Sequence, residues 1–141
     1  MKTRQKGTAI VEFALILPLL LLLTMITTEF GRAIYQYNTI VKSLRNATRY
    51  LSIQTQNTKI TEAQNLVVFG NIAGTAPALV PGLTLAQVAT TWQTTGSAPL
   101  INTVKITVTG YTFRSMFTSV FGVTFGDKIF APISATMRSP S

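Results

Sequence analysis

The sequence predicts an α+β protein in which one long amino-terminal helix crosses a membrane, continues outward as a stem and packs on a small three-stranded antiparallel sheet with short helices. Three observations lead there. Thr8 to Thr28 is a run of 21 residues whose only charge is Glu12, long enough to cross a hydrocarbon core about 30 Å thick. Apolar positions then continue at helical spacing to about Ile53. Further on, three segments alternate apolar with polar or small residues, the period of a half-buried strand.

The stem follows from Phe30, Ile34, Tyr37, Val41, Leu44, Thr48 and Leu51, which recur in alternating steps of four and three. Joined to the apolar run, they predict one rod from Thr8 to about Ile53, roughly 69 Å long at 1.5 Å per residue. Pro18 inside it removes the hydrogen bond to the Ala14 carbonyl and is expected to kink or loosen the rod, or to be tolerated as membrane prolines are. The face marked by Tyr37, Val41 and Leu44 is the expected cover for the sheet.

Beyond the stem, Gln54 to Lys59 reads as a linker, and Thr61-Glu62-Ala63-Gln64 has the spacing of a capping box opening a short helix that Gly70 ends. A loop rich in Gly, Ala and Pro follows. Val88, Thr90 and Trp92 mark the first strand, Val104, Ile106 and Val108 the second, and Ile133, Ala135 and Met137 the third. Thr95-Gly96-Ser97-Ala98-Pro99 suits a hairpin connection between the first two. Phe113, Met116, Phe117, Val120 and Phe121 have helical spacing, closed by Gly122. Six aromatics lie between Tyr111 and Phe130; they fit either core packing or an exposed apolar tip.

Composition removes whole classes of chemistry. The 141 residues include no cysteine and no histidine, so thiolate zinc sites, Cys or His nucleophiles, Ser-His-Asp triads and disulfides are excluded. Of the four acids, Glu12 and Glu29 lie in or beside the apolar run, leaving Glu62 and Asp127 for any carboxylate pair in the remainder. An enzyme, a metal, a cofactor or a small-molecule substrate is therefore not expected. The formal charge is +8 and falls to +5 without Lys2, Arg4 and Lys6 of the leading tail. Lys42, Arg45 and Arg49 form a stripe at i, i+3 and i+7, and with Arg32 they are candidates for contact with lipid headgroups or a neighbouring subunit, a solvated face being the alternative. No aromatic is interleaved with these bases to stack on, which argues against nucleic acid.

Glu12 raises the sharpest question, since an ionisable group in such a run is costly unless it lies near one end or meets a partner. It either snorkels to the interface or pairs with a positive charge. The three bases ahead of the run favour a cytoplasmic amino terminus through their density, although Arg32, Lys42 and Arg45 follow within about twenty residues on the other side. Glu29, at the outer end of the run, is expected to be solvated by water in either protonation state.

The basic tail ends in Lys6-Gly7 and is followed by Thr8-Ala9-Ile10-Val11-Glu12-Phe13. This resembles the class III signal of type IV pilins and pseudopilins: a short basic leader closed by glycine, a glutamate five residues after the cut, and an apolar helix that is kept. Val11-Glu12-Phe13-Ala14-Leu15, Pro18-Leu19-Leu20, Glu29-Phe30-Gly31-Arg32, Asn38 and Arg49-Tyr50 are similar to the TadE family of Tad pilus pseudopilins. The resemblance covers residues 6 to 50. It implies a pilin-like fold, a leader at 1–7, an amino-terminal helix at 8–53 with 8–28 in the membrane, and an extracytoplasmic α+β head at 54–141. Gly7 and Thr8 would flank the processing site, with Glu12 and Phe13 in subunit pairing. The partners it implies are a prepilin peptidase, other pilin or pseudopilin subunits, an inner-membrane assembly platform and membrane lipid.

Three functions compete on these residues. One is a processed minor subunit that helps to assemble or tip an adhesive fibre, and a second is an assembly factor that stays anchored in the membrane. The third is a secreted binding domain whose apolar run is cut near Gly31-Arg32-Ala33, where the arginine makes a poor site.

Overall fold

The computed structural model describes residues 4–97 and 99–140, the side chains of residues 4–6 excepted. Lys2 and the side chains of Arg4 and Lys6, the basic part of the expected leader, therefore lie outside the described residues, as does Ala98 of the expected hairpin connection. Helix α1 runs from Arg4 to Ser52 and holds Pro18 in its interior. Helix α2 spans Ile60–Phe69. The strands are β1 Val88–Thr95, β2 Ile101–Val108, β3 Thr112–Phe113, β4 Ser119–Val120, β5 Val123–Thr124, β6 Lys128–Ile129 and β7 Ile133–Ser139.

The chain falls into two compact units. One combines α1 as far as Ile34 with Arg114–Asp127; the other takes Tyr35–Phe113 and Lys128–Ser141.

In the second unit β1, β2 and β7 form an antiparallel sheet with β2 in the centre. Register places Val88 opposite Val108, Thr90 opposite Ile106 and Trp92 opposite Val104. On the other side Val108 faces Ile133 and Ile106 faces Ala135, so the alternating positions read from the sequence share one face. That face is buried under α1 and α2 in a core of Ile40, Leu44, Ala47, Leu51, Ala63, Val67, Val104, Ile106 and Val108. Each fully buried Leu, Ile or Val contributes about 1.5 to 3 kcal/mol, and this core explains why sheet and stem need one another.

The covering face of α1 is turned from the expected one, which holds at Leu44, fully buried, and at Val41, packed against the core, but not at Tyr37. Tyr37 remains 45% exposed, Ile34 55% and Phe30 68%, whereas Gln36, Ile40, Ser43, Leu44, Ala47, Thr48 and Leu51 are buried. The helix is turned so that small residues, Ser43 and Ala47, take the inner positions. Counting only large apolar side chains passes over them. Ser43 and Thr48 satisfy their hydroxyls on the carbonyls of Ile40 and Leu44, at 3.0 and 2.7 Å, so their burial leaves no orphaned donor. Ser139 Oγ donates to the Ser52 carbonyl at 2.9 Å, tying the end of β7 to the last turn of α1.

Two local expectations fail. Helix α2 begins one residue before Thr61, with Lys59 in a left-handed conformation and no side-chain cap; Lys59 Nζ instead donates to Glu62 Oε1 at 2.8 Å. The reciprocal capping box forms at Thr84 and Gln87, ahead of a 3-10 turn at Leu85–Gln87. The helical spacing between Phe113 and Phe121 corresponds to short strands. Phe121 and Gly122 both have positive φ, 49° and 81°, the requirement of a two-residue type I′ turn. The turn pairs Val120 with Val123 and Ser119 with Thr124. A phenylalanine in that conformation costs about 1 to 3 kcal/mol, which hairpin pairing must outweigh.

Candidate functional site

Helical geometry sets Glu12 one turn beyond Thr8 on the same face of α1. Gly7, Thr8, Glu12 and Phe13 are all exposed, Phe13 by 60%. Gly7 lies inside the helix, and a Cβ built on it would meet nothing within 4 Å. Glycine in a helix interior costs about 1 kcal/mol relative to alanine, and neither packing nor positive φ requires it here. Every large apolar side chain from Ile10 to Leu21 that flanks this group is exposed as well. The carboxylate therefore stands on an uncharged apolar surface, with no acid or base among the described side chains within the run to answer it.

The structure separates the four candidate bases. Lys42, Arg45 and Arg49 are exposed along α1. Arg32 turns to Glu29, its Nη1 donating to Oε2 at 2.8 Å.

Glu29 is the functional candidate that sequence reasoning missed. It is 7% exposed, contrary to the expectation of a water-solvated carboxylate. Its Oε1 accepts the Met116 backbone N–H at 2.9 Å, so a side chain of α1 holds a segment 87 residues away. Burial pushes the Glu29 carboxyl up. Donation from Ser115, Met116 and Arg32, together with the Arg32 charge, outweighs that effect and leaves the group below its ordinary value of 4.5. The only cue in the sequence is the spacing Glu29-x-x-Arg32, an ion pair on one helix face. The distant amide cannot be read from it.

The segment held by Glu29 is a built hairpin. Asp127 Oδ1 accepts the Ser115 N–H at 3.1 Å, Ser115 Oγ donates to the Phe117 carbonyl at 2.8 Å, and the Phe125 N–H meets the Thr118 carbonyl at 3.0 Å. Within the same unit Leu22, Met25 and Ile26 are half-buried and Glu29 is buried, while Leu21 and Leu23 are exposed. That spacing of i, i+3, i+4 and i+7 is one helix face, and Arg114–Asp127 is the element that shares the unit with it.

The six aromatics divide. Tyr111 and Phe113 are buried and Phe130 half-buried, with Phe130 edge-on to Tyr37 at 5.8 Å and 5.5 Å from Tyr111. Tyr111 Oη also donates to Gln36 Oε1 at 2.9 Å. Phe117 and Phe125 are half-buried, and Phe121 is 65% exposed at the hairpin turn. Both expectations for the cluster thus hold, in different places.

Among the described residues no three acids lie close enough to hold a metal. What the site offers, among the described residues, is an apolar helix carrying a carboxylate with no base beside it, on an α+β, pilin-like fold with one helix long and apolar enough to cross a membrane. Residues 7–49 match the family model described as TadE-like protein, which supports the resemblance read from residues 6 to 50. No curated protein and no solved structure matches the chain.

Proposed function

We propose that the chain is a non-enzymatic pseudopilin, a minor subunit that helps to assemble or tip a Tad-type adhesive pilus. In this reading residues 1–7 are a leader removed by a prepilin peptidase between Gly7 and Thr8. Residues 8–28 span the inner membrane with the amino terminus cytoplasmic, and the remainder from about residue 54 forms a periplasmic head.

The observation that carries the proposal is Glu12, exposed on an apolar helix surface with no described partner. Cleavage at Gly7 creates an ammonium at Thr8. A neighbouring subunit can set its own Glu12 against that group, and charge then answers charge where water is excluded. Gly7 supports the same reading, because nothing in the fold requires glycine there and a peptidase that accepts only a small residue before the cut would. Lys42, Arg45 and Arg49 remain candidates for lipid headgroups or a neighbouring subunit. The assembly partners are other pilin or pseudopilin subunits and an inner-membrane platform; no cofactor, nucleic acid or small-molecule substrate enters.

The mature amino terminus tests it. Edman degradation or mass analysis of protein from cells that hold the peptidase is expected to find Thr8 first. A chain that keeps Met1, or one that begins near Ile34, rejects processing at this bond.

A further inference from the structure

We propose that the hairpin of residues 115–126 is a second membrane contact, which lies along the outer end of α1 and buries its apolar turn in the lipid interface. The inference rests on the reading that α1 spans a bilayer over residues 8–28.

Three observations support it. First, Glu29 holds the Met116 amide, so the base of the hairpin is fixed one residue beyond the apolar run. From that level the shielded face of α1 runs back through Ile26 and Met25 to Leu22, about 10 Å toward the amino terminus at 1.5 Å per residue. The hairpin arm from Met116 to Phe121 is about 16 Å long when extended, enough to reach that depth. The segment therefore overlaps the part of α1 that lies within the bilayer.

Second, the charge pattern matches the depth. Residues 115–126 read SMFTSVFGVTFG and contain no charged side chain, while Arg114 stands immediately before them and Asp127 and Lys128 immediately after. Charges at the base with none beyond it is the arrangement an interfacial segment needs, because ionised groups stay at the headgroups while aromatic and aliphatic groups enter the acyl boundary by about 5 to 10 Å.

Third, the hairpin presents apolar groups outward. Met116 and Phe121 are each 65% exposed and Val123 41%. Phe121 takes a left-handed φ of 49° at the turn, so a strained residue carries the apolar tip where a smaller polar one would turn more easily. The amides of Ser115, Met116, Phe117 and Phe125 are meanwhile held by Asp127, Glu29, the Ser115 hydroxyl and the Thr118 carbonyl, and Ser119 and Val120 pair with Thr124 and Val123, which lowers the cost of placing this backbone beside lipid.

The chain contains no cysteine, so one introduced thiol takes one label. Full-length Phe121→Cys carrying a nitroxide is reconstituted in vesicles of phosphatidylcholine and phosphatidylglycerol. Its collisions with oxygen, which concentrates in lipid, are compared with those of a water-soluble nickel chelate. Leu15→Cys, in the middle of the apolar run, reports the span, and Ile72→Cys, an exposed apolar residue of the other unit, reports water. The oxygen-to-nickel ratio at Phe121→Cys is expected to lie severalfold above that at Ile72→Cys and to approach that at Leu15→Cys. A ratio equal to that at Ile72→Cys, with Leu15→Cys still in lipid, overturns the hairpin contact and leaves the span intact. A label at Phe121→Cys shielded from both reagents until the protein is diluted in excess lipid assigns the tip to a second copy of the chain and also overturns it. If Leu15→Cys itself meets the nickel chelate, the span fails and the inference with it.

Discussion

The two parts of α1 solve opposite problems with the same backbone. Between Ile10 and Leu21 every large apolar side chain faces outward on all sides of the helix, whereas between Gln36 and Leu51 one stripe is buried against a sheet and the basic residues Lys42, Arg45 and Arg49 occupy the exposed side. A helix apolar all round requires an apolar surrounding, and a striped helix requires one partner and water elsewhere. The comparison teaches that the first part takes its neighbours from outside the molecule and the second finds them within it.

The strongest way to break the comparison is to remove the internal partner. A chain of residues 54–141, lacking Ile40, Leu44, Ala47 and Leu51, is expected to lose cooperative unfolding altogether, since several buried side chains at about 1.5 to 3 kcal/mol each exceed the margin of a small domain. Starting near Tyr35 restores it. Thermal melts followed by circular dichroism decide, and a sharp transition in the shorter chain would show that the sheet is self-sufficient.

The external partner is tested by Glu12→Gln, which keeps size and hydrogen bonding but removes the charge. Processing is expected to survive, because the bond cut lies at Gly7. Incorporation into fibres is expected to fall about 10²-fold or more, as an unpaired ammonium left at a buried contact costs about 3 to 5 kcal/mol. Quantitative blots of sheared fibres against cell-bound protein measure it. Wild-type incorporation would return Glu12 to an interfacial role without pairing.

Glu29 sharpens the boundary between the two parts. Its carboxyl sits below 4.5 in the folded chain, so its contribution is fully present above that value and is lost as the pH falls through the folded pKa. The Met116 amide proton is expected to move upfield in NMR spectra over an acid titration with a midpoint below 4.5. Asp127 holds the neighbouring Ser115 amide. Glu29→Gln is the control: a Met116 shift with pH that persists in that variant would show that the effect does not come from Glu29.

The smallest effect lies inside the sheet unit. Thr90 Oγ1 is buried without a hydrogen-bond partner among the described residues. Thr90→Val keeps the β-branched shape and removes an unsatisfied group, and is expected to stabilise by about 1 kcal/mol, seen as a higher melting temperature.

What was legible in the sequence follows the same division. The apolar run, the strands at Val88, Val104 and Ile133, and Gly70 as the end of α2 are local patterns, and each appears in the structure. The resemblance of residues 6 to 50 was legible for the same reason, since its motifs are contiguous. Contacts across long separations were not. The Glu29 to Met116 bond and the Tyr111 to Gln36 bond join residues 87 and 75 apart, and no periodicity encodes them. The hairpin at Phe121 was misread because apolar residues at steps of three and four also fit short strands separated by turns. Positive φ at a phenylalanine is a conformation that sequence statistics discourage.

The position of β7 gives the sheet an order in time. Its partner is the central strand β2, and its final serine closes on the carbonyl of Ser52 at the end of α1, yet it is synthesised after every other described element of the sheet. Until residues 133–139 emerge, β2 offers an open edge to any other extended chain, a template for mispairing. The interval before β7 is added is therefore when the sheet unit is most open to mispairing.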